Sequence, residues 1–184
     1  MAIRRPGPAR NADAIARMIR IDHAGEYGAV HIYRGQRAVF GRLPSKTRIA
    51  RQLEHMEADE QAHLDAFDRY IAERGVRPTA LSPVWRLAGF GLGVATALMG
   101  EKAAHACTEA VESVIEGHYG EQVKELEAMG ETELAADFAR YQEEEVAHKN
   151  LAVDEGAHDA PGYPLLSALI KTGCRIAIKV TERI

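Results

Sequence analysis

The stretch DEQAHLDAF, residues 59–67, decides the fold. Ile49, Leu53, Met56, Glu60, His63, Phe67 and Ile71 are spaced 4, 3, 4, 3, 4 and 4. That spacing is one stripe of an α-helix, the side that faces a core. Glu60 and His63 therefore stand in line with apolar residues, where an unpaired carboxylate is costly.

The same pattern recurs. Leu134, Phe138, Tyr141, Glu145, His148 and Ala152 form a second stripe, and only Glu145 among the three glutamates of EEEVAH lies on it. Ile15, Ile19, Asp22, Glu26, Val30 and Tyr33 share a face, as do Thr108, Val111, Glu112, Ile115, Tyr119 and Leu126. Glu26 precedes Glu60 by 34 residues and Glu112 precedes Glu145 by 33; Glu26 to Glu112 is 86 and Glu60 to Glu145 is 85. This is an internal repeat of two helical hairpins, each carrying Glu and then Glu-x-x-His. Packed together they give a four-helix bundle with the ligand pattern of di-iron or di-manganese carboxylate proteins.

Outward from these stripes the period stays helical. The pattern predicts helices over about 11–40, 45–74, 83–99, 101–129, 131–156 and 164–183. Asn11 or Asp13 is expected to cap the first and Ser45 the second, and Pro83 to open the third. VRPTALSP reads as a linker, Gly100 and Gly130 separate helices, and DAPGYP breaks the chain before the last. No segment alternates with period two for long enough to be a strand. The expectation is an all-α, single-domain chain over 1–184: a four-helix bundle with two additional apolar or amphipathic helices.

Bulk composition agrees. A chain of 184 residues with 46% hydrophobic and 27% charged residues can bury a core and is not disordered. A net charge of −4 gives no reason to expect nucleic acid. Cys107 and Cys174 lack CxxC spacing, which argues against a disulfide framework or thiolate metal site. The basic run IRRPGPAR is not followed by an apolar h-region, so no signal peptide is expected.

Four carboxylates together in a core would repel one another and cost several kcal/mol each in desolvation. Two divalent cations offset four negative charges, and neutral imidazole adds none. Oxygen-rich ligands with two histidines and no thiolate suit iron or manganese better than structural zinc. Glu-x-x-His places both donors on one side of one helix.

The blocks IDHAGEYGA, EADEQAH, ACTEAVE with HY following, EEEVAH and the terminal GCRIAIKVTERI resemble the Coq7 family. The resemblance runs from about residue 19 to 184 and implies a ferritin-like carboxylate di-iron monooxygenase. It implies two iron ions, one held by Glu26, Glu60 and His63 and the other by Glu112, Glu145 and His148, with at least one glutamate bridging. It further implies O2 activation and hydroxylation of a demethoxyubiquinone-type polyprenyl quinone ring in ubiquinone biosynthesis. Electrons would come from NADH, through a relay matching His118 and Tyr119; a packed tyrosine beside a partly exposed histidine is the structural alternative. No G-x-G-x-x-G on a strand–turn–helix is present, so nicotinamide would meet the bundle surface or a separate reductase. His23 reads as a core histidine or an orienting partner for a ligand, and Asp22 is a second candidate for that orienting role.

A polyprenyl quinone is nearly insoluble, so a membrane surface is an expected partner. LAGFGLGVATALM, residues 87–99, carries no charge but is too short to span. In the last helix Lys171, Arg175 and Lys179 form a basic ridge about opposite Leu165, Leu169, Ile176 and Val180. Residues about 83–99 and 164–183 are thus expected at an interface, on the cytoplasmic face of a bacterial inner membrane or its mitochondrial equivalent. The alternatives are helices capping the bundle or forming a dimer seam; a homo-oligomer and an accessory lipid-binding protein are the other partners considered. For function, the alternatives are a ferritin-like iron-oxidising or storage protein and a di-iron oxidase of another hydrophobic substrate. A scaffold without chemistry would have no reason to bury four glutamates.

Overall fold

The computed structural model describes residues 8–184, with side chains from residue 11. Residues 1–7, which begin the basic N-terminal run, lie outside the described residues. Six α-helices follow one another: α1 Pro8–Phe40, α2 Thr47–Arg74, α3 Ser82–Leu98, α4 Glu101–Met129, α5 Thr132–Asp154 and α6 Tyr163–Thr181. Short 3-10 turns at Pro44–Lys46 and Ala157–Asp159 complete the order, and the described residues contain no strand. The fold is all-α, a ferritin-like bundle whose hairpins are α1–α2 and α4–α5, with α3 packed on α1 and α6 on α4. Gly75 and Gly130 end α2 and α4 at φ 62° and 84°, a left-handed conformation that glycine adopts without a Cβ penalty.

The helix starts differ from the sequence expectation. Asn11 and Asp13 do not cap α1, which is already helical from Pro8; proline suits a first turn because its missing N–H needs no partner there. Ser45 does not cap α2 either. It sits inside the 3-10 turn, and α2 begins at Thr47, whose hydroxyl donates back to the Pro44 carbonyl at 2.8 Å.

Two apolar clusters fill the bundle. One joins Ile19, Phe67, Tyr119, Leu126, Phe138 and Tyr141; the other joins Tyr33, Phe40, Ile49, Leu53, Met56 and Ala97. Along every long helix the glutamate of the stripe falls between the two, so the polar groups occupy the middle of the bundle, sealed at both ends. Phe67 on α2 meets Phe138 on α5 edge to face, ring centroids 5.5 Å apart.

α3 approaches α1 backbone to backbone. A Cβ on Gly93 would collide with the Ile32 carbonyl, and one on Gly35 with the Phe90 carbonyl. Glycine at these crossings is what lets the helices touch. α6 is fixed by a single carboxylate on α4. Glu109 accepts from Lys171 at 3.0 Å, Tyr163 at 2.9 Å and Ser167 at 3.4 Å, all on α6, and from Ser113 at 2.8 Å. This corrects the expected basic ridge. Lys171 turns toward α4, because a buried acid on the neighbouring helix offers it an ion pair, and only Arg175 and Lys179 of the three are exposed. The outward faces retain Leu87, Phe90 and Leu98 on α3 and Leu165, Leu169 and Ile176 on α6. Among the described residues no helix is long and apolar enough to cross a membrane.

Candidate metal centre

The six residues singled out by spacing converge in the middle of the bundle. Glu26, Glu60, His63, Glu112, Glu145 and His148 are all buried, none more than 6% exposed. Their donor atoms form two overlapping groups: Glu26, Glu60, His63 and Glu145, and Glu60, Glu112, Glu145 and His148, each gathered within 4.8 Å. Glu60 and Glu145, the glutamates of the two Glu-x-x-His pairs, belong to both groups.

Both imidazoles turn Nδ1 inward. His63 Nδ1 lies 3.5 Å from Glu26, 3.6 Å from Glu60 and 3.2 Å from Glu145. His148 Nδ1 lies 3.2 Å from Glu60 and 3.5 Å from Glu145. Adjacent donors each ~2.1 Å from one octahedral cation stand roughly 3 Å apart, so these separations fit a metal site with little adjustment. His63 Nδ1, one oxygen of Glu60 and both oxygens of Glu145 are buried without a hydrogen-bond partner. Such orphaned atoms are rare in a core and are what a cation would satisfy.

The electrostatics point the same way. Burial, then the charges of Glu60 and Glu145, pushes Glu26 well above the usual carboxylate range. Burial, then Glu145 and Glu60, does the same to Glu112. Burial would raise Glu60 too, but the His148 imidazole hydrogen-bonded to it and the neighbouring His63 hold it at about 2. Burial alone would lower the histidines; the carboxylates facing them, Glu145 first, outweigh it, raising His63 and bringing His148 to about 11. The protein by itself balances its crowded carboxylates with protons, and cations would displace them.

Four supporting residues escaped the sequence reading in that role. His63 Nε2 meets Glu144 at 2.5 Å, and His148 Nε2 meets Asp59 at 3.2 Å. Asp59 and Glu144 each precede the glutamate of a Glu-x-x-His pair, so an acidic pair before each histidine was the available signal. Tyr33 donates to Glu112 at 2.9 Å and Tyr119 to Glu26 at 2.5 Å. Each tyrosine stands seven residues after the glutamate of its own helix, Tyr33 after Glu26 and Tyr119 after Glu112, a recurrence visible in the sequence. All of these contacts exchange partners between the two hairpins, as a pseudo-twofold repeat requires. Burial and the adjacent carboxylate raise both phenols, which therefore keep their protons as donors.

The remaining candidates lie around the six. His23 pairs with Asp68 at 3.0 Å and orients none of the six. His118 lies away from them, 3.3 Å from Asp22, while Tyr119 reaches Glu26. The two neighbours in sequence thus serve different surroundings.

With this geometry in hand, comparison with known proteins assigns the family. The profile described as "Ubiquinone biosynthesis protein COQ7" matches residues 13–181. The 3-demethoxyubiquinol 3-hydroxylase of Rhodospirillum rubrum is 46% identical over 181 residues, covering 98% of this chain and 84% of the relative. The human mitochondrial NADPH-dependent 3-demethoxyubiquinone 3-hydroxylase is 41% identical over 174 residues, 93% of this chain and 78% of the relative. The mitochondrial 5-demethoxyubiquinone hydroxylase of Saccharomyces cerevisiae is 37% identical over 183 residues, 91% and 77% respectively. The chain belongs to the COQ7 family of ubiquinone biosynthesis proteins.

Proposed function

We propose that this chain hydroxylates the ring of a demethoxyubiquinone-type polyprenyl quinone. The observation that carries the reading is the buried double group of carboxylates and inward-facing imidazole Nδ1 atoms; the names of the relatives supply the reaction. Those names are hydroxylases and favour this reading over iron oxidation and storage or another hydrophobic substrate.

Iron would fit the donor set: Glu26, Glu60, His63 and Glu145 could hold one ion, and Glu60, Glu112, Glu145 and His148 the other. Two bound iron ions would supply reductive O2 activation, one oxygen atom entering the ring C–H bond and the other leaving as water. The chain's own residues do the rest. Asp59 and Glu144 hold the imidazoles in the tautomer that leaves Nδ1 free. Tyr33 and Tyr119 fix the two outer carboxylates through retained protons. The apolar clusters above and below exclude bulk water from the reacting groups. The reductant is a nicotinamide. The resemblance suggested NADH, whereas the printed name of the human relative specifies NADPH; His118 and Tyr119 remain the electron relay that the resemblance implies. The chain is proposed to form a single unit over 1–184, with the exposed apolar faces of α3 and α6 resting on the membrane that holds the quinone, on the cytoplasmic face or its mitochondrial equivalent.

The test is direct. Protein loaded anaerobically with ferrous iron receives a short-tailed demethoxyquinol, reductant and isotopically labelled O2. One labelled oxygen in the quinone, lost on Glu112→Ala, is the expected result. Iron oxidation without labelled quinone would overturn the hydroxylase reading.

A further inference from the structure

We propose that His118 and Asp22 form a proton relay between solvent and the buried centre. The inference rests on the hydroxylase reading, whose balance demands it. A ring C–H, O2, a reduced nicotinamide and one proton give a ring C–OH, water and the oxidised nicotinamide. The nicotinamide supplies two electrons and a proton as hydride, so one further proton must come from solvent. The six centre residues are buried, and that proton needs a route.

The routes through His63 and His148 are unsuitable. Each imidazole presents Nδ1 to the centre and Nε2 to Glu144 or Asp59. A ring bound to a cation through Nδ1 keeps its Nε2 proton for that carboxylate and passes none inward. Tyr33 is 1% exposed and leads nowhere.

On the remaining side, a groove of about 540 Å³ opens between α1, α4 and α6. Arg17, Arg175 and Lys179 line it together with Glu121, Glu125 and Glu182. This even mixture of charges keeps the mouth hydrated and selects no particular ion. His118 lies in the groove with its side chain 19% exposed, and its Nε2 is 3.3 Å from Asp22 Oδ1. Asp22 is 5% exposed, stands one turn before Glu26 on the same helix stripe, and its Oδ2 is buried without a partner. A buried ion pair whose second oxygen is left over is poorly explained as a stability device, because the unmatched atom keeps its desolvation cost.

Gln122 completes the geometry. Its amide nitrogen lies 3.1 Å from Asp22 Oδ1 and 3.0 Å from His118 Nε2. While Nε2 carries its proton, that proton is donated to Asp22; once transferred, Nε2 accepts from the Gln122 amide. Both ends of the hop are therefore held. His118 regains a proton at Nδ1 from the groove, and Asp22 Oδ2, buried without a partner one turn before Glu26, is the atom from which the proton passes inward, to end in the water that leaves. Burial pushes Asp22 upward, so its carboxyl takes up a proton more readily than an exposed one, while burial, which would lower His118, is outweighed by the hydrogen bond to Asp22.

The experiment uses the full iron-loaded chain, chemically reduced beforehand, in a single turnover with O2 and a short-tailed demethoxyquinol. Reduction in advance removes electron delivery from the measurement. Asp22→Asn and His118→Ala are expected to slow product formation at least about tenfold, in the range of lost general acid catalysis, with iron content and helical content retained at the assay temperature. Imidazole added to His118→Ala should enter the groove and restore much of the rate, and His118→Gln should not be restored by its own amide. Independently of turnover, the metal-free chain should show a low-field Nε2–H proton resonance for His118 that disappears in Asp22→Asn. Wild-type single-turnover rates in both variants would overturn the relay, as would a slow His118→Ala that imidazole leaves unchanged. Absence of hydroxylated product from the wild type would instead remove the hydroxylase reading, and the relay with it.

Discussion

Glu144 on α5 stands 2.5 Å from His63 Nε2 on α2, and the relation is returned by Asp59 on α2, 3.2 Å from His148 Nε2 on α5. Each of the two facing helices orients the inward-turned imidazole of the other. Replacing Glu144 with Gln or Asp59 with Asn removes a charge-assisted acceptor while keeping size. Orienting partners of this kind are worth about 10–100-fold in metal affinity. Competition titration with a chelator should show that loss in either variant, with the helical content intact. Unchanged affinity in both would mean that packing alone holds the rings.

Glu60 and His63 were legible because a helix stripe has a fixed period and tolerates no unexplained charge. The bundle, its hairpins and all six centre residues follow from that one rule applied four times. What stayed hidden depends on contacts between helices. Asp59 and Glu144 lie off the stripe by a single residue, so each helix read alone makes them solvent-facing. Lys171 on α6 looks like a surface cation until α4 brings Glu109 beneath it. The missing caps at Asn11 and Ser45 have a local cause: proline at position 8 and a 3-10 turn at Pro44–Lys46 start the helices by other means. Pairwise docking decided Asp59, Glu144 and Lys171, whereas local turn chemistry decided the caps.

Glu112 should oppose stability and function. In the metal-free chain it is a buried acid crowded by Glu145 and Glu60, and burial pushes it well above the carboxylate range. Glu112→Gln keeps an acceptor for the Tyr33 hydroxyl while removing the ionisable group. The metal-free variant is expected to melt a few degrees higher, the shift that about 1 kcal/mol produces in a chain of this size. The wild type should gain stability on ferrous loading and the variant much less. Calorimetry with and without metal separates the two; a metal-free variant that melts lower would show that the carboxyl is structural.

Gly93 and Gly91 lie on the same helix and should respond oppositely to alanine. A methyl at Gly93 meets the Ile32 carbonyl and the Gln36 amide of α1, whereas nothing lies within 4 Å of one at Gly91. Gly93→Ala must push α3 off α1, an overpacking cost of about 1–3 kcal/mol. Gly91→Ala should be neutral or stabilising by about 0.5–1 kcal/mol through helix propensity. Urea unfolding gives both numbers, and equal effects would refute the backbone contact.

Glu109 predicts how α6 depends on pH. The carboxyl accepts from Lys171, Ser113, Tyr163 and Ser167, and these partners, Lys171 foremost, hold it below the ordinary value of 4.5 against the opposing effect of burial. A depressed folded value adds stability that is fully present above the unfolded value and is lost as pH falls through the folded one. Above pH 5 the attachment of α6 should therefore be insensitive to pH, and it should weaken as the solution is taken below about 4, where protonation removes the ion pair. Hydrogen exchange over residues 163–181, referred to the amides of α4, is the appropriate readout because it reports α6 alone and leaves out the titration of the central carboxylates. Glu109→Gln should show fast α6 exchange already at neutral pH with no further acceleration on acidification. If the wild type and Glu109→Gln lose α6 protection together over the same acid range, the anchor lies in the apolar contacts of Ile170 and Leu166 instead.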